Sequence, residues 1–302
     1  MSTKPFFSVV IPLYNKADYI EDTLNSVLNQ NYKNFEIVIV NDGSTDNSVS
    51  VVKRFSDSRI TIINQNNLGL SGARNTGIKN AKYEYIAFLD ADDLWSADYL
   101  MTICNLLSIK SNSEVLATGV KTFRNKHKLD LKANTFKNEK VQIIFNYFSL
   151  KQNIFGPSAL VVKRNVFNNI GYFDNTINYG EDEDFFIRCF SIYDITYYNT
   201  EKVFYLKGIE NQLTAPNTNT KRNPPDYSKY LTNENQHILK PYIDFIYFKL
   251  LVLYKMERNY ELVKYYKDKI DVSNLSPIKK VKYFLPIPVF YFLKKIHTRL
   301  LH

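Results

Sequence analysis

A doubly wound α/β fold with a mostly parallel central sheet is what this sequence predicts, on three observations. Near-continuous runs of β-branched and aliphatic residues recur through the first hundred positions, the signature of strands covered on both faces. Stretches with apolar residues at helical spacing lie between them, in units of about 25 residues. Polar and acidic residues gather directly after the strand-like runs, where open α/β sheets bind their ligands.

Taken in order, SVVIPL (8–13) and FEIVIVN (35–41) are the first two strands, each too uniformly apolar to leave one face in water. Between them, KADYIEDTLNSVLNQ places Ala17, Ile20, Leu24, Val27 and Leu28 on one helical stripe, with Asn15 as the expected N-cap. ITIIN (60–64) and YIAFL (85–89) supply the third and fourth strands. After the second strand, VNDGSTD offers Asp42, a Gly43 turn, and Ser44 or Asp46 to cap the next helix. After the third, NNLGLSGARN delivers Arg74 on the first turn of a helix. After the fourth, FLDADDLW (88–95) sets Asp90, Asp92 and Asp93 ahead of LWSADYLMTICNLL, a helical stretch that one of the three is expected to cap.

Singly, Asp42 and Asp46 read as turn and cap residues, and Arg74 as a surface residue with a buried stem. Three carboxylates in four positions are different, because they repel one another unless a cation offsets them. A hard divalent ion with oxygen ligands is the economical explanation, and magnesium or manganese on a diphosphate needs only one or two protein carboxylates.

Composition bounds the rest. Of 302 residues 45% are hydrophobic and only 19 are Gly or Pro, so the chain folds. Its two cysteines, Cys104 and Cys189, have no partner spacing for zinc or a redox pair, and the N-terminus reads as a strand without a leader, so a cytoplasmic location is expected. The net charge is +9, and residues 240–302 hold 13 Lys and Arg against 5 Asp and Glu, which concentrates the excess in the last fifth.

SVVIPLYNKADYIEDTLNSVLNQNYKNFEIVIVNDGSTDNS, NLGLSGARNTGI and YIAFLDADDLW, in that order and spacing, resemble the N-terminal half of the family 2 glycosyltransferases, with the GT-A fold. The resemblance implies a nucleotide-sugar donor, usually a uridine diphosphate sugar. By position it implies Pro12 and Tyr14 at the base, Asp42 on the uracil ring, Arg74 near the nucleotide, Asp90 towards the ribose and Asp92 on the metal, Mn2+ or Mg2+. Asp93 receives no role from it.

GPSALVVKRNVFNNIGYFDNTINYGEDEDFFIRC (156–189) resembles the acceptor-side half of the same family, which ends in a Glu-Asp motif opening a helix. A sugar hydroxyl is a poor nucleophile near neutral pH and needs a carboxylate base, whereas a metal-bound diphosphate leaves without a proton. Asp182 is the expected base, with Glu181 as the second choice; Glu183 and Asp184 suit a helix N-terminus, and all four acids serving only there is the bland alternative. Attack opposite the diphosphate inverts the anomeric centre. Relatives also carry Tyr-Arg-x-His, where the histidine can complete the metal shell; the corresponding FYLKGIENQLT (204–214) has Leu206 and Gly208, with Lys207 and Glu210 as polar substitutes. The processive Gln-x-x-Arg-Trp motif is absent, so one sugar per encounter is expected.

The expected organisation is a GT-A donor and catalytic domain over 1–215, a linker or active-site loop over 216–229, and a basic, aromatic-rich helical extension over 230–302. Within the extension, PYIDFIYFKLLVLYKMERNYELVKYYKDK is helical and apolar enough to pack on the body or on a second chain, a route to a homo-oligomer. The uncharged run Tyr283–Leu293 is too short to span a bilayer, and Pro286 and Pro288 oppose one continuous helix. Flanked by Lys279, Lys280, Lys282, Lys294 and Lys295, residues 279–302 suit an anionic membrane surface, and an ordinary packed tail is the alternative. No nucleic-acid-binding signature accompanies the basic tail.

The leading expectation is an inverting hexosyl- or N-acetylhexosaminyltransferase acting on a saccharide or lipid-linked acceptor, in surface polysaccharide such as capsule or lipopolysaccharide, at the inner face of the plasma membrane. The alternatives are a non-catalytic nucleotide- or saccharide-binding relative and a sugar nucleotidyltransferase. The latter needs a glycine-rich loop after the first strand, and PLYNKADY has no glycine.

Overall fold

The computed structural model describes residues 4–124, 129–209, 212–216 and 221–300, the side chains of 297–300 excepted. The described chain forms two compact units, one running to Tyr147 and resuming over Asn153–Lys207, the other made of Phe148–Gln152 and the chain from Gly208 onward.

In the first unit the chain runs through β1 (Phe7–Leu13), α1 (Ile20–Leu28), β2 (Phe35–Asp42), α2 (Ser48–Val52), β3 (Ile60–Gln65), α3 (Gly69–Asn80) and β4 (Tyr85–Phe88). It continues with β5 (Leu94–Trp95), α4 (Tyr99–Ile109), β6 (Val115–Phe123), β7 (Val141–Ile144), β8 (Leu160–Lys163), α5 (Arg164–Ile170), α6 (Glu181–Phe190) and β9 (Ile195–Leu206). The strands form one sheet in the order β3-β2-β1-β4-β8-β6-β9-β5, with β7 also on β9. The long pairings, β1 with β2, β2 with β3 and β6 with β9, are parallel, as is β1 with β4. The antiparallel ones, such as β4 with β8, are short. The α/β class with a mostly parallel sheet is therefore found as expected.

β1 and β2 are buried along their whole length, which is why their sequences do not alternate. β3, at the edge, is only partly buried. Ile20, Leu24 and Val27 on α1 are fully buried, each burial contributing roughly 1.5–3 kcal/mol. α3 lies so close to β1 that a Cβ on Gly77 would stand 2.2 Å from Cγ1 of Val10, so no larger residue fits there without moving the helix. β2 and β4 flank β1 on opposite sides, so the crossover direction reverses at β1 and a crevice opens at the carboxyl ends of β1 and β4.

Three local expectations are corrected. Asn15 does not cap α1: its backbone is left-handed (φ 50°) and its Oδ1 accepts from the Thr45 N–H at 2.8 Å, joining two strand-end loops instead. None of the Asp90–Asp93 carboxylates caps the following helix, because Leu94–Trp95 pair with β9 before α4 begins after Asp98. Arg74 lies on the second turn of α3, since the helix starts at Gly69.

The second unit holds α7 (Gln236–Glu257), α8 (Tyr260–Lys269), α9 (Pro277–Phe284) and α10 (Ile287–Leu300). Arg258 in a left-handed conformation (φ 57°) separates α7 from α8, and the Asn259 side chain caps α8 by accepting from the Leu262 N–H. Arg222 pairs with Glu257, and Asp226 accepts from the Tyr247 hydroxyl at 2.6 Å and from Lys269 at 2.8 Å, tying 222–226 to α7 and α8. The buried Lys255 ammonium donates to the carbonyls of Lys282, Tyr283 and Leu285 at 2.7, 2.9 and 2.7 Å, satisfying the orphan acceptors at the end of α9. Among the described residues no helix is long and apolar enough to cross a membrane.

Candidate functional site at the strand carboxyl ends

The acidic run after β4 is held by its neighbours. The Thr23 hydroxyl of α1 reaches the carbonyls of both Ala91 and Asp93 at 3.0 Å. The Ser158 hydroxyl accepts from the Asp90 N–H at 3.1 Å and donates to Asp93 Oδ2 at 2.6 Å, while the Ser158 carbonyl accepts from the Trp95 indole at 2.8 Å. A short loop is thus fixed from two sides, and its three carboxylates take three different directions.

Asp90 meets Arg74. The guanidinium is 1% exposed and donates to Asp90 Oδ1 at 2.8 Å and to Glu181 Oε1 at 2.9 Å, joining the loop after β4 to the start of α6. It also lies over the Phe173 ring, 5.3 Å from its centroid. Burial opposes its charge, but Asp90 and Glu181 outweigh burial, with a further contribution from Asp182, and hold its pKa above the usual arginine range. Its Nε has no hydrogen-bond partner among the described residues. α3 is held against the second half of the unit by Asn75, which donates to the Phe173 carbonyl at 2.8 Å and accepts from the Phe173 N–H at 3.0 Å.

Asp92 meets Lys16. The ammonium stands 2.6 Å from Asp92 Oδ2, spanning the crevice between the ends of β1 and β4. Burial raises the Asp92 pKa, with Lys16 opposing. Asp93 is driven higher: burial, then the charges of Asp90 and Asp92, push its carboxyl well above the usual range, and its Oδ1 is buried without a hydrogen-bond partner among the described residues.

Asp42, at the end of β2, is buried, and its Oδ1 accepts from the Gln65 amide at 2.7 Å and from the Leu68 N–H at 2.8 Å. Pro12 is buried in β1, and Tyr14 beyond it is 46% exposed. These three sit at adjacent strand ends but share no hydrogen bond with the Arg74 group among the described residues. α6 opens after Gly180 in a left-handed conformation (φ 80°). Glu181 faces Arg74, and Asp182 is half-buried and accepts from the Glu183 N–H at 2.9 Å. Glu183 accepts from the Asn153 amide at 2.8 Å, and Asp184 holds Arg188 one turn on at 2.9 Å. Leu206 ends β9 buried, Gly208 is left-handed (φ 84°), and Glu210 lies outside the described residues.

Sequence reasoning missed Lys16, Thr23 and Ser158. Lys16 had a usable signal, a cation two residues past Tyr14 in the loop that faces the acidic run. Thr23 and Ser158 had none, because each acts on residues more than sixty positions away.

A divalent ion fits this set in one form. Among the described residues no three His, Cys, Asp or Glu side chains form a cation cage. Asp92 presents a single carboxylate in the crevice, which suits an ion that takes most of its ligands from a diphosphate and water, and such an ion would compete with the Lys16 ammonium for it.

The chain is similar to an uncharacterised glycosyltransferase of Rickettsia typhi, 32% identical over 194 residues, which cover 63% of this chain and 61% of that protein. It is also similar to TuaG of Bacillus subtilis, a candidate teichuronic acid biosynthesis glycosyltransferase, 43% identical over 100 residues, covering 32% of this chain and 40% of TuaG. This chain thus spans about three fifths or less of the length of these two relatives. In fold it is similar to the crystal structure of residues 1–349 of Staphylococcus aureus TarS in complex with UDP-GlcNAc, with a TM-score of 0.68 at 19% identity over 87% of this chain and 79% of that one. The sequence profile of glycosyl transferase family 2 matches residues 8–196, well over half of the chain, and the chain belongs to that family.

Proposed function

We propose that the protein is an inverting glycosyltransferase that moves one sugar from a nucleotide diphosphate donor, a UDP-sugar, to a hydroxyl of a saccharide or lipid-linked acceptor. The observation that carries the reading is the meeting of Arg74, Asp90 and Glu181, with Lys16 and Asp92 beside them, at the carboxyl ends of β1 and β4. Pro12, Tyr14 and Asp42 would receive the base, and Asp90, positioned by Arg74, the ribose. Asp42 has both its hydrogen bonds on Oδ1, so Oδ2 is the oxygen to accept from a ring N–H. Asp92 would hold Mn2+ or Mg2+, which when bound neutralises the leaving diphosphate. Lys16 supplies a second positive charge on the same side of the crevice.

Asp182 takes the proton of the acceptor hydroxyl as the acceptor oxygen attacks the anomeric carbon; the bond from that carbon to the diphosphate breaks, and its electron pair leaves with the nucleotide. Glu181 is the weaker base candidate because the Arg74 guanidinium already neutralises it. The hexosyl or N-acetylhexosaminyl choice, a surface-polysaccharide product, and a peripheral place at the inner membrane face complete the reading.

The test is nucleotide release from a panel of nucleotide sugars with manganese, magnesium or chelator, in the parent and in Asp92→Asn. Release from one donor, lost with chelator and in the variant, is the expected result. If no donor turns over and UDP does not bind, the reading fails; UDP binding without turnover of any donor or acceptor favours the non-catalytic relative, for which Gly208 at the expected histidine position speaks.

A further inference from the structure

We infer that the outward faces of α9 and α10 form a docking surface for an anionic phospholipid bilayer. On α9, Ile278, Val281 and Phe284 recur every third residue and are 66%, 60% and 63% exposed. On α10, Val289, Phe292, Leu293 and Ile296 follow helical spacing and are 39–64% exposed, while Ile287 and Phe290 of the same helix are buried. Each helix therefore carries more apolar surface than the unit uses, and the unused part forms a stripe, not a scatter of single residues.

The charge around the stripe selects the occupant. Residues 277–296 contain Lys279, Lys280, Lys282, Lys294 and Lys295 and no Asp or Glu. Lys279 lies over the Phe245 ring of α7, 4.6 Å from its centroid; a second copy of this chain on the same face would bring the remaining lysines against one another, whereas an anionic leaflet complements them. Beside the stripe a cavity of about 490 Å³ is lined by Arg258, Tyr260, Tyr291 and Lys295, among others. The Arg258 guanidinium lies 4.0 Å from the Tyr291 ring centroid and the Lys295 ammonium 5.1 Å from it, so a lipid head-group phosphate would meet two cations with apolar surface alongside for its chain. Lys255, by closing the end of α9, holds the two helices at the bend between them.

The inference deepens the peripheral-membrane part of the reading above and rests on that part alone, since vesicle binding is read without donor or acceptor. The experiment is co-sedimentation of the full chain with phosphatidylcholine vesicles containing or lacking phosphatidylglycerol, for the parent, for Phe284→Ser with Phe292→Ser, and for Lys280→Glu with Lys295→Glu. The parent should bind the anionic vesicles, and each double variant should lose about tenfold or more in partitioning with an unchanged melting temperature, because Phe284, Phe292 and Lys295 are exposed and Lys280 is half-exposed. Failure of the parent to bind, or binding that survives both double variants, overturns the proposal. So does a concentration-dependent dimer in sedimentation equilibrium that the phenylalanine variant abolishes without any vesicle binding. Displacement from vesicles by glycerol phosphate as effective as by lipid also overturns it, by making the cavity a site for a soluble phosphate.

Discussion

Lys255 in the second unit and Arg74 in the first are both fully buried cations, and their surroundings differ in kind. Lys255 spends its donors on three carbonyls at the end of one helix, and the same unit pairs Arg222 with Glu257. Arg74 lies between two carboxylates from distant segments and its Nε has no hydrogen-bond partner among the described residues, nor has Oδ1 of Asp93 in the loop that carries Asp90. The second pattern is poor structure on its own terms, because orphaned polar atoms cost stability in a dry interior. The comparison teaches that buried charge alone does not mark a site; incompletely satisfied charge gathered at strand ends does.

The sharpest test of that contrast is the pair Arg74→Met and Arg222→Met. Each strands a buried carboxylate and should lower unfolding free energy by about 3–5 kcal/mol in urea titrations. Only Arg74→Met should also abolish UDP binding measured calorimetrically on the folded protein; loss of binding in Arg222→Met would break the distinction. Next in size is Asp182→Asn, which should cut turnover by about 10²–10⁴-fold while leaving UDP affinity unchanged. Undiminished turnover there would take the base role away from Asp182.

Smaller effects sharpen the contrast. Lys255→Met leaves carbonyls at the end of α9 without donors and should cost about 1–3 kcal/mol, with UDP affinity intact. Asp93 and Asp226 should then show opposite pH signatures. Burial raises the Asp93 pKa, so its contribution is present below the ordinary aspartate value of about 3.9 and is lost as pH climbs through the folded value. For Asp226, burial acts upwards but is outweighed by hydrogen bonds from Lys269, Ser228 and Tyr247, which hold its pKa below the usual range. Its contribution is present above about pH 4 and lost on acidification. Asp93→Asn should therefore flatten the decline of the urea midpoint towards neutral pH, and Asp226→Asn the decline towards acid; the reverse assignment would refute the difference between the two environments.

Much of the site could be read from the chain because its parts are local. A buried parallel strand needs an uninterrupted apolar run, and the residues just past it must lie at the sheet's carboxyl edge, so Asp42, Asp90 and Asp92 could be placed without coordinates. Capping was misread at Asn15 because the competing partner, Thr45, belongs to another loop. The full burial of Arg74 was not legible for the same reason: the carboxylates that permit it are 16 and 107 residues away. The break between α9 and α10 was legible from Pro286 and Pro288, a local backbone restriction.

By itself, the sequence determined the family, the alternation of strands and helices, the loops that face the crevice, and the basic aromatic character of the tail. Those properties rest on periodicity, backbone restrictions and side-chain type, which act within a few residues. Tertiary structure alone decided that Lys16 answers Asp92, that Ser158 holds Asp93, that Arg74 joins Asp90 to Glu181, and which faces of α9 and α10 remain uncovered. Each of those depends on segments brought together by sheet order and helix packing, and charge and burial act through space regardless of how far apart the partners lie in the chain.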